Sequence, residues 1–454
     1  MSTPVSPDRT PALVSDGADL LALVELALEE ARALGASQAE AAISMDVGLS
    51  VSARLGEVET VEYQRDRGMG VTVYFGTRKG SASTADVRPA ALRETVQKAC
   101  TIAKYTSEDP CAGLPDLQDL ARDIPDLDLS HPWDVSPEAA CDMAIACEAA
   151  AMDVDRKRIT NSEGAGVSTH RGVRAYGNSL GFLAAYPGTV HSVSCSVLGA
   201  EGEHMERDYW YSTMRDWREL ESAESVGRRA GERTVRRLNA RKLHTQKAPV
   251  LYVPETARGL VSHFIGAIRG GSQYRRASFL LDAAGEQVFP DWFALSERPH
   301  LARALASAPF DHEGVATRDR ELVEAGVLLG YVLSTYSARK LGLRTTGNAG
   351  GTHNLVVHGR GRSFEEMLAL MGRGLMVTEL MGQGVNGVTG DYSRGAAGFW
   401  VEDGAIQYPV HEVTIAGNLK DMFRHVVDVG SDIDVRGGIR TGSILLEELT
   451  IAGD

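Results

Sequence analysis

AEAAISMDVGLSVSARLGEVETVEYQRDRGMGVTVYFGTRKGSAS, residues 39–83, alternates apolar and polar side chains and is broken at intervals by glycine. A period of two belongs to half-buried strands, because successive side chains of an extended chain point to opposite faces. The runs AEAAISMDV, LSVSARLG, VETVEYQ and GVTVYFG read as strands, with Gly48, Gly56, Gly68, Gly70, Gly76 and Gly80 punctuating the turns. Upstream, Leu20, Leu23, Val24, Ala27 and Leu28 recur at helical spacing, so a helix is expected from Asp16, as N-cap, to Leu34, stopped by Gly35. Downstream, a second helix is expected after Asp86, with Pro89 in its first turn, reaching Ala103. Helix, strands and helix make a first α+β unit over residues 16–110, behind a Ser-, Thr- and Pro-rich disordered tail at 1–15.

The segment EDPCAGLPDLQDLARDIPDLDLSHPWD, starting at Glu108, carries four prolines and many acids and reads as a long exposed connection, a linker at 111–135. A second α+β unit at 136–241 opens with Ser136 as N-cap before Pro137 and Glu138. Its helix is expected to reach about Val154, followed by three strand-like runs and a long charged helix from about Asp216 to Asn239. Residues 242–454 begin with a short strand, PVLYVP, and a helix from Pro254. Ser363 with Glu366 forms a capping box, and Asp403-Gly404 is a hairpin signal. Strands and glycine loops outnumber helices there. The fold class expected is therefore α+β, with N-terminal mixed α/β units followed by a β-rich C-terminal domain.

A chain of 454 residues, 43% hydrophobic, exceeds what a single core supports, which agrees with this division. Its 47 basic and 61 acidic side chains leave a net charge of -14, which repels a phosphate backbone and argues against direct nucleic-acid binding. Five cysteines form no CxxC pair, so a disulfide framework is not expected and a reducing cytoplasm fits best. No basic start followed by an apolar run marks a signal peptide, and no apolar stretch approaches a membrane span.

The helix PETARGLVSHFIGAIRGG, from Pro254, places Leu260, Val261, Phe264, Ile265 and Ile268 on one face and Gly259, Ser262, His263 and Gly266 on the other. A zinc-protease helix needs a Glu beside its first His, to activate water, and a second His about one turn on. Here those positions are Phe264 and Ile268, so the helix offers at most one ligand, His263, whose plainer reading is structural. His312-Glu313 and His411-Glu412 each lack a second His one turn on. Strand alternation would put His353 and His358 on opposite faces. Ligands drawn from distant segments stay open. No Gly-x-Ser-x-Gly elbow is present, and Ser334, Ser337 and Ser393 have no neighbouring base. Tyr274, Arg275 and Arg276, with Arg339-Lys340, read as solvated or ion-paired surface or, more sharply, as a grip on the carboxylates or carbonyls of an extended peptide. Asn386, Asp391 and Arg394 could position such a strand or cap a groove.

RGMGVTVYFGTRKGSAST (67–84), SHFIGAIRGGSQYRRASFLLD (262–282), the run from Pro309 to Leu355, GVNGVTGDYSRGAAGFWVEDG (384–404) and the ending GGIRTGSILLEELTIAG together resemble the PmbA (TldE) branch of the TldD/PmbA family. The resemblance implies a cytoplasmic, two-chain metalloprotease that cleaves unfolded peptides inside a chamber, in peptide maturation and antitoxin turnover. The TldD-type chain would carry the metal helix. At Phe264 and Ile268 this sequence departs from that motif, so the resemblance implies no metal or cofactor on this chain and zinc on a TldD-type partner. This chain alone is then expected to be non-catalytic, supplying chamber wall, substrate grip and dimer interface. The alternative is a non-enzymatic peptide- or protein-binding regulator of gyrase or of a toxin–antitoxin pair, with self-association open.

Overall fold

The structure, a computed structural model, describes residues 17–453; the tail expected at 1–15 and the Asp16 cap lie outside them. Helix α1 (Gly17–Ala33) buries Leu20, Val24, Ala27 and Ala31. The alternating stretch then forms three long strands, β1 (Gln38–Arg54), β2 (Glu57–Phe75) and β3 (Arg78–Thr84). This corrects the reading of its glycines. Only Gly56 and Gly76 turn the chain, with φ of 79° and 63°, while Gly48, Gly68, Gly70 and Gly80 lie within strands. At Gly80 the reason is close approach, since a Cβ there would stand 2.2 Å from the Ala99 carbonyl oxygen of the covering helix.

That helix is α2 (Pro89–Tyr105), and α3 (Pro137–Met152), β4 (Ile159–Asn178), β5 (Leu183–Glu201) and β6 (His204–Met214) follow. The charged helix expected from Asp216 begins later, as α4 (Ala223–Arg237). Asp216 instead caps a single 3-10 turn at Trp217–Glu219, and Ser222 supplies the N-cap of α4. All six strands form one antiparallel sheet in the order β3-β2-β1-β4-β5-β6, joined across its middle by β1 and β4. The two N-terminal units thus share a sheet. Ala39, Ala41 and Ile43 of β1 pack beneath α1 and α2, and Leu49, Val51 and Ala53 pack beneath α3 and α4, so all four helices lie on one face. The other face carries small hydroxyl side chains that pair across strands, Ser52 with Thr60 at 2.7 Å and Thr72 with Ser81 at 3.0 Å.

The connection after α2 has no helix or strand, as its prolines suggest, but it is not the exposed tether expected. Leu114, Leu120, Ala121, Leu127 and Leu129 are buried. Its acids meet cations of the C-terminal domain, Asp109 with Lys340 at 3.1 Å and Asp116 with Arg339 at 3.3 Å. Leucines spaced between the acids allow one edge of this segment to be buried while the other is ion-paired.

The C-terminal domain runs through β7 (Gln246–Tyr252), α5 (Pro254–Ile268), α6 (Gly270–Tyr274), β8 (Ala294–Glu297), β9 (Arg320–Glu324), β10 (Val327–Leu328) and α7 (Thr335–Leu341). It continues with β11 (Leu355–His358), α8 (Phe364–Met371), β12 (Gly374–Met381), β13 (Asp391–Glu402) and β14 (Ala405–Asn418). Last come α9 (Leu419–Arg424), β15 (Val426–Val429), β16 (Ile439–Arg440) and β17 (Ile444–Ala452). Its strands form a five-stranded sheet, β10-β9-β8-β11-β16, and a six-stranded sheet, β14-β13-β12-β7-β17-β15, which curls so that β14 also pairs with β17. One apolar core joins both sheets to α5. The capping box of Ser363 and Glu366 is present, and Asp403 and Gly404, both at positive φ, turn β13 into β14. No helix among the described residues is long and apolar enough to cross a membrane.

Candidate functional site

Helix α5 opens on Pro254 at its first position, where a missing N–H costs nothing, and Thr256 Oγ1 ties that turn to the carbonyls of Val253 and Val377 at 3.0 Å each. Its stripe of Leu260, Val261, Phe264, Ile265 and Ile268 is buried, as the helical period requires. Phe264 and Ile268 are both 0% exposed, and the Phe264 ring meets Phe289 and Phe423 edge-on at 5.0 and 5.8 Å. The two positions at which a zinc helix would place its acid and second imidazole therefore point into the core.

His263 lies on the opposite, half-open side. Its ring is edge-on to Tyr392 at 6.1 Å, and Tyr392 shares a long 3.5 Å hydroxyl contact with the fully buried Tyr252. Burial first, and then the Arg394 guanidinium, hold His263 below the ordinary imidazole range, so the ring is neutral near pH 7. Arg394 is oriented by a 3.0 Å hydrogen bond from its Nε to the Met381 carbonyl. A neutral imidazole beside a phenol and a guanidinium can accept or donate one hydrogen bond and repel a cation. This donor set does not fit a divalent metal, which needs several anionic or neutral ligands converging on one point. Among the described residues no group of three or more His, Cys, Asp or Glu side chains is placed to hold a metal ion.

The residues singled out from sequence fall into one band and one outlier. Arg275, the C-cap of α6, lies over Tyr274 at 5.4 Å, and Tyr274 meets Tyr336 of α7 at 5.9 Å. Arg276, at a positive φ of 54°, is exposed and 3.5 Å from Asp282. From there the Phe279 N–H donates to the Gly387 carbonyl at 3.0 Å, which ties this segment to the loop before β13. Asn386 shapes that loop by accepting the backbone N–H of Val388 at 2.9 Å, and Asp391 takes the Thr389 hydroxyl at 2.6 Å. Tyr392 and Arg394 continue the band to His263. Arg339 stands apart. It does grip backbone carbonyls, but those of Gly113 and Leu114 in its own chain, at 3.3 and 2.6 Å.

The His-Glu pairs divide between separate partners. Arg174 donates to His312 Nε2 at 2.8 Å while Glu313 accepts the Thr335 N–H, and His411 faces Glu206 while Glu412 faces Lys242. Ser334 and Ser337 are spent on the capping box of α7. The alternating register of residues 383–394 carried no mark of Tyr392 as the ring against His263. Tyr392 lies opposite Gly417 of β14, and only the packing of that end of β13 near α5 brings its ring to His263.

The sequence matches the PmbA/TldA metallopeptidase family in three pieces: domain 1 over residues 39–103, the central domain over 130–238 and the C-terminal domain over 245–453. It is 55% identical to the Metalloprotease PmbA of Escherichia coli O157:H7, covering 91% of this chain and 92% of that one. It is 50% identical to a Metalloprotease PmbA homolog of Haemophilus influenzae, covering 98% and 99%. Among solved structures, a Bacteroides thetaiotaomicron protein named as a candidate modulator of DNA gyrase superposes with a TM-score of 0.90 at 27% identity, covering 95% of this chain and 98% of that one. TldE from Thermococcus kodakarensis shares the fold, with a TM-score of 0.85 at 22% identity, covering 95% and 100%.

Proposed function

From its place in the PmbA/TldA metallopeptidase family, to which this chain belongs, we propose that it is the metal-free subunit of a two-chain peptidase. A TldD-type partner supplies the zinc, and this chain supplies wall, grip and interface for unfolded peptides. The observation that carries the reading is α5, where His263 is half-open but Phe264 and Ile268 are sealed in the core.

Two further features support it. On the helix-free face of the N-terminal sheet, the part away from the Tyr176–Phe310 cluster carries paired small hydroxyls, Ser52 with Thr60 and Ser192 with Thr213, which suit an extended chain of any sequence. Along β2, residues 57–68 have no strand on their outer side among the described residues, because β3 pairs only with Met69–Phe75. Tyr63, Val58 and Val61 on that edge are 72%, 46% and 45% exposed, which gives a partner subunit a place to add a strand.

Co-purification with the TldD-type chain of the same organism, followed by metal analysis and a cleavage assay on an unfolded peptide, tests the reading. The expected result is a stoichiometric complex that holds zinc and cleaves, and an isolated chain that does neither. Chelator-sensitive cleavage by the isolated chain would overturn it. A stable complex with gyrase and none with a TldD-type chain would favour the regulator reading instead.

A further inference from the structure

A cavity of about 510 Å³ lies where the N-terminal sheet meets the C-terminal domain, away from His263. One wall is the Arg229, Arg233 and Arg236 side of α4 with Trp210 of β6, and the other is formed by Val253–Glu255 and Asp432–Arg436. Phe364, Met376, Phe399 and Ile406 give it an apolar floor. Its size and its place between domains are those of a small-molecule or side-chain pocket.

Two of the four arginines lining this cavity stand outside any ion pair among the described residues. Each of the five carboxylates lining it has a donor. Asp208 takes Arg233 at 3.3 Å and Glu221 takes the Trp210 indole N–H at 3.1 Å. Glu255 takes Arg436 at 3.4 Å, Asp432 takes the Ser443 hydroxyl at 2.6 Å, and Asp434 takes Arg258 at 3.1 Å. Arg233 and Arg436 are consumed in these pairs. Among the described residues Arg229 and Arg236 make no ion pair and rest on aromatic rings: the Arg229 guanidinium lies 3.7 Å from the Trp210 ring centre and that of Arg236 lies 5.3 Å from Phe399.

A guanidinium held over an indole face and outside any ion pair has N–H groups to offer, and that fork matches a carboxylate. Burial, with Arg233 and Arg436 close by, opposes the charge on Arg229 despite Glu221 and Glu255, so an anion bound there would relieve it. Five carboxylates against four guanidiniums in the lining disfavour a dianion such as phosphate more strongly than a single carboxylate. The seven residues from Arg229 to Arg236 set their Cα atoms roughly 10 Å apart along α4, and the two guanidiniums rest on different rings, Trp210 and Phe399. The ligand that suits this arrangement has a single negative end at Arg229 and an apolar body against Phe364, Met376 and Ile406, beside the Arg236–Phe399 pair.

We propose that this cavity binds the free C-terminal carboxylate of a peptide together with its apolar last side chain. The carboxylate chemistry stands on the cavity itself, whereas its source in a peptide rests on the proposed function. The test is calorimetric titration of the full chain with N-acetyl-phenylalanine, its carboxamide and inorganic phosphate, and then with a fluorescent peptide ending in phenylalanine, as free acid and as amide. The expected result is binding of both acids, each at least about tenfold tighter than its amide, and no competition by phosphate. Arg229→Gln should weaken the acids by the same factor and leave the amides unchanged. Ile406→Trp, which fills the floor and touches no charge, should weaken all of them. Equal binding of acid and amide, or an unchanged affinity in Arg229→Gln, overturns the site. If the small acid binds and the peptide acid does not, the peptide source is overturned; loss of cleavage in the two-chain assay with carboxylate binding intact would instead count against the peptidase reading alone.

Discussion

Rebuilding the zinc motif, by Phe264→Glu with Ile268→His, should destabilise the C-terminal domain rather than recruit a metal. Phe264 and Ile268 are both fully enclosed, and the Phe264 ring is braced by Phe289 and Phe423. Deleting such side chains costs about 3–5 kcal/mol for a phenylalanine and about 2–5 kcal/mol for an isoleucine. The replacements keep volume but put a carboxyl group and an imidazole among aromatic rings with no donor in reach, which adds a burial penalty that protonation of the carboxyl only partly relieves. Taking about 5 kcal/mol for the pair, and about 2–4 °C per kcal/mol for a domain of this size, the melting temperature should fall by about 10–20 °C. Scanning calorimetry of the full chain reads that shift, and elemental analysis after dialysis against zinc reads the metal. A milder control, Phe264→Leu, which keeps the site apolar but leaves a small cavity, should cost about 1–2 kcal/mol. A double variant that melts within about 2 °C of the parent and retains one zinc per chain would refute the assignment of these positions to the core.

Other perturbations test other parts of the argument. Arg339→Ala removes the charged hydrogen bonds to Gly113 and Leu114, worth roughly 1.5–3 kcal/mol locally, and should speed limited proteolysis within 108–135 while other cleavage sites keep their rates. Gly227→Ala would put a Cβ 1.8 Å from the Cys147 carbonyl oxygen, forcing α3 and α4 apart; urea denaturation should show a loss of about 1–3 kcal/mol. Gly259→Ala on the open side of α5 meets nothing within 4 Å and should gain up to about 1 kcal/mol in the isolated chain, yet weaken assembly if the partner's backbone approaches that face. His312 is held down to about 4, by burial first and then by Arg174, whose N–H needs the unprotonated Nε2. An imidazole depressed from its unfolded value of 6.5 contributes stability that is whole above that pH and is lost as the pH falls toward 4. The ring is partly exposed, so the effect is discounted to about 1 kcal/mol: His312→Gln should flatten the stability profile between pH 7 and 4.5 by that amount, and an unchanged profile would remove His312 from the pH response.

Local periodicity and capping made most elements of this fold legible. The α5 stripe, the Ser363 box and the Asp403-Gly404 turn each depend on residues a few positions apart, and each forms as read. What could not be read depends on pairing across long separations. Gly48 looks like a turn residue until β4 lies beside β1, where a Cβ would meet the His170 ring at 2.2 Å; nothing near residue 48 announces a neighbour at 170. The acids after Glu108 look solvated until α7 presents Arg339 and Lys340 to them, and Arg339 looks free to grip a peptide for the same reason. The pattern extends to the site. Sequence placed His263 on the right face of α5 because a helix fixes its own faces. It gave no sign of Tyr392 or of the Trp210–Arg229 stack, which are set by strand register and by the meeting of the N-terminal sheet with the C-terminal domain. Both candidate sites are thus completed by tertiary contacts, so a substitution that shifts the approach of the N-terminal sheet to the C-terminal domain should disturb the Arg229 cavity while leaving His263, held within one domain, in place.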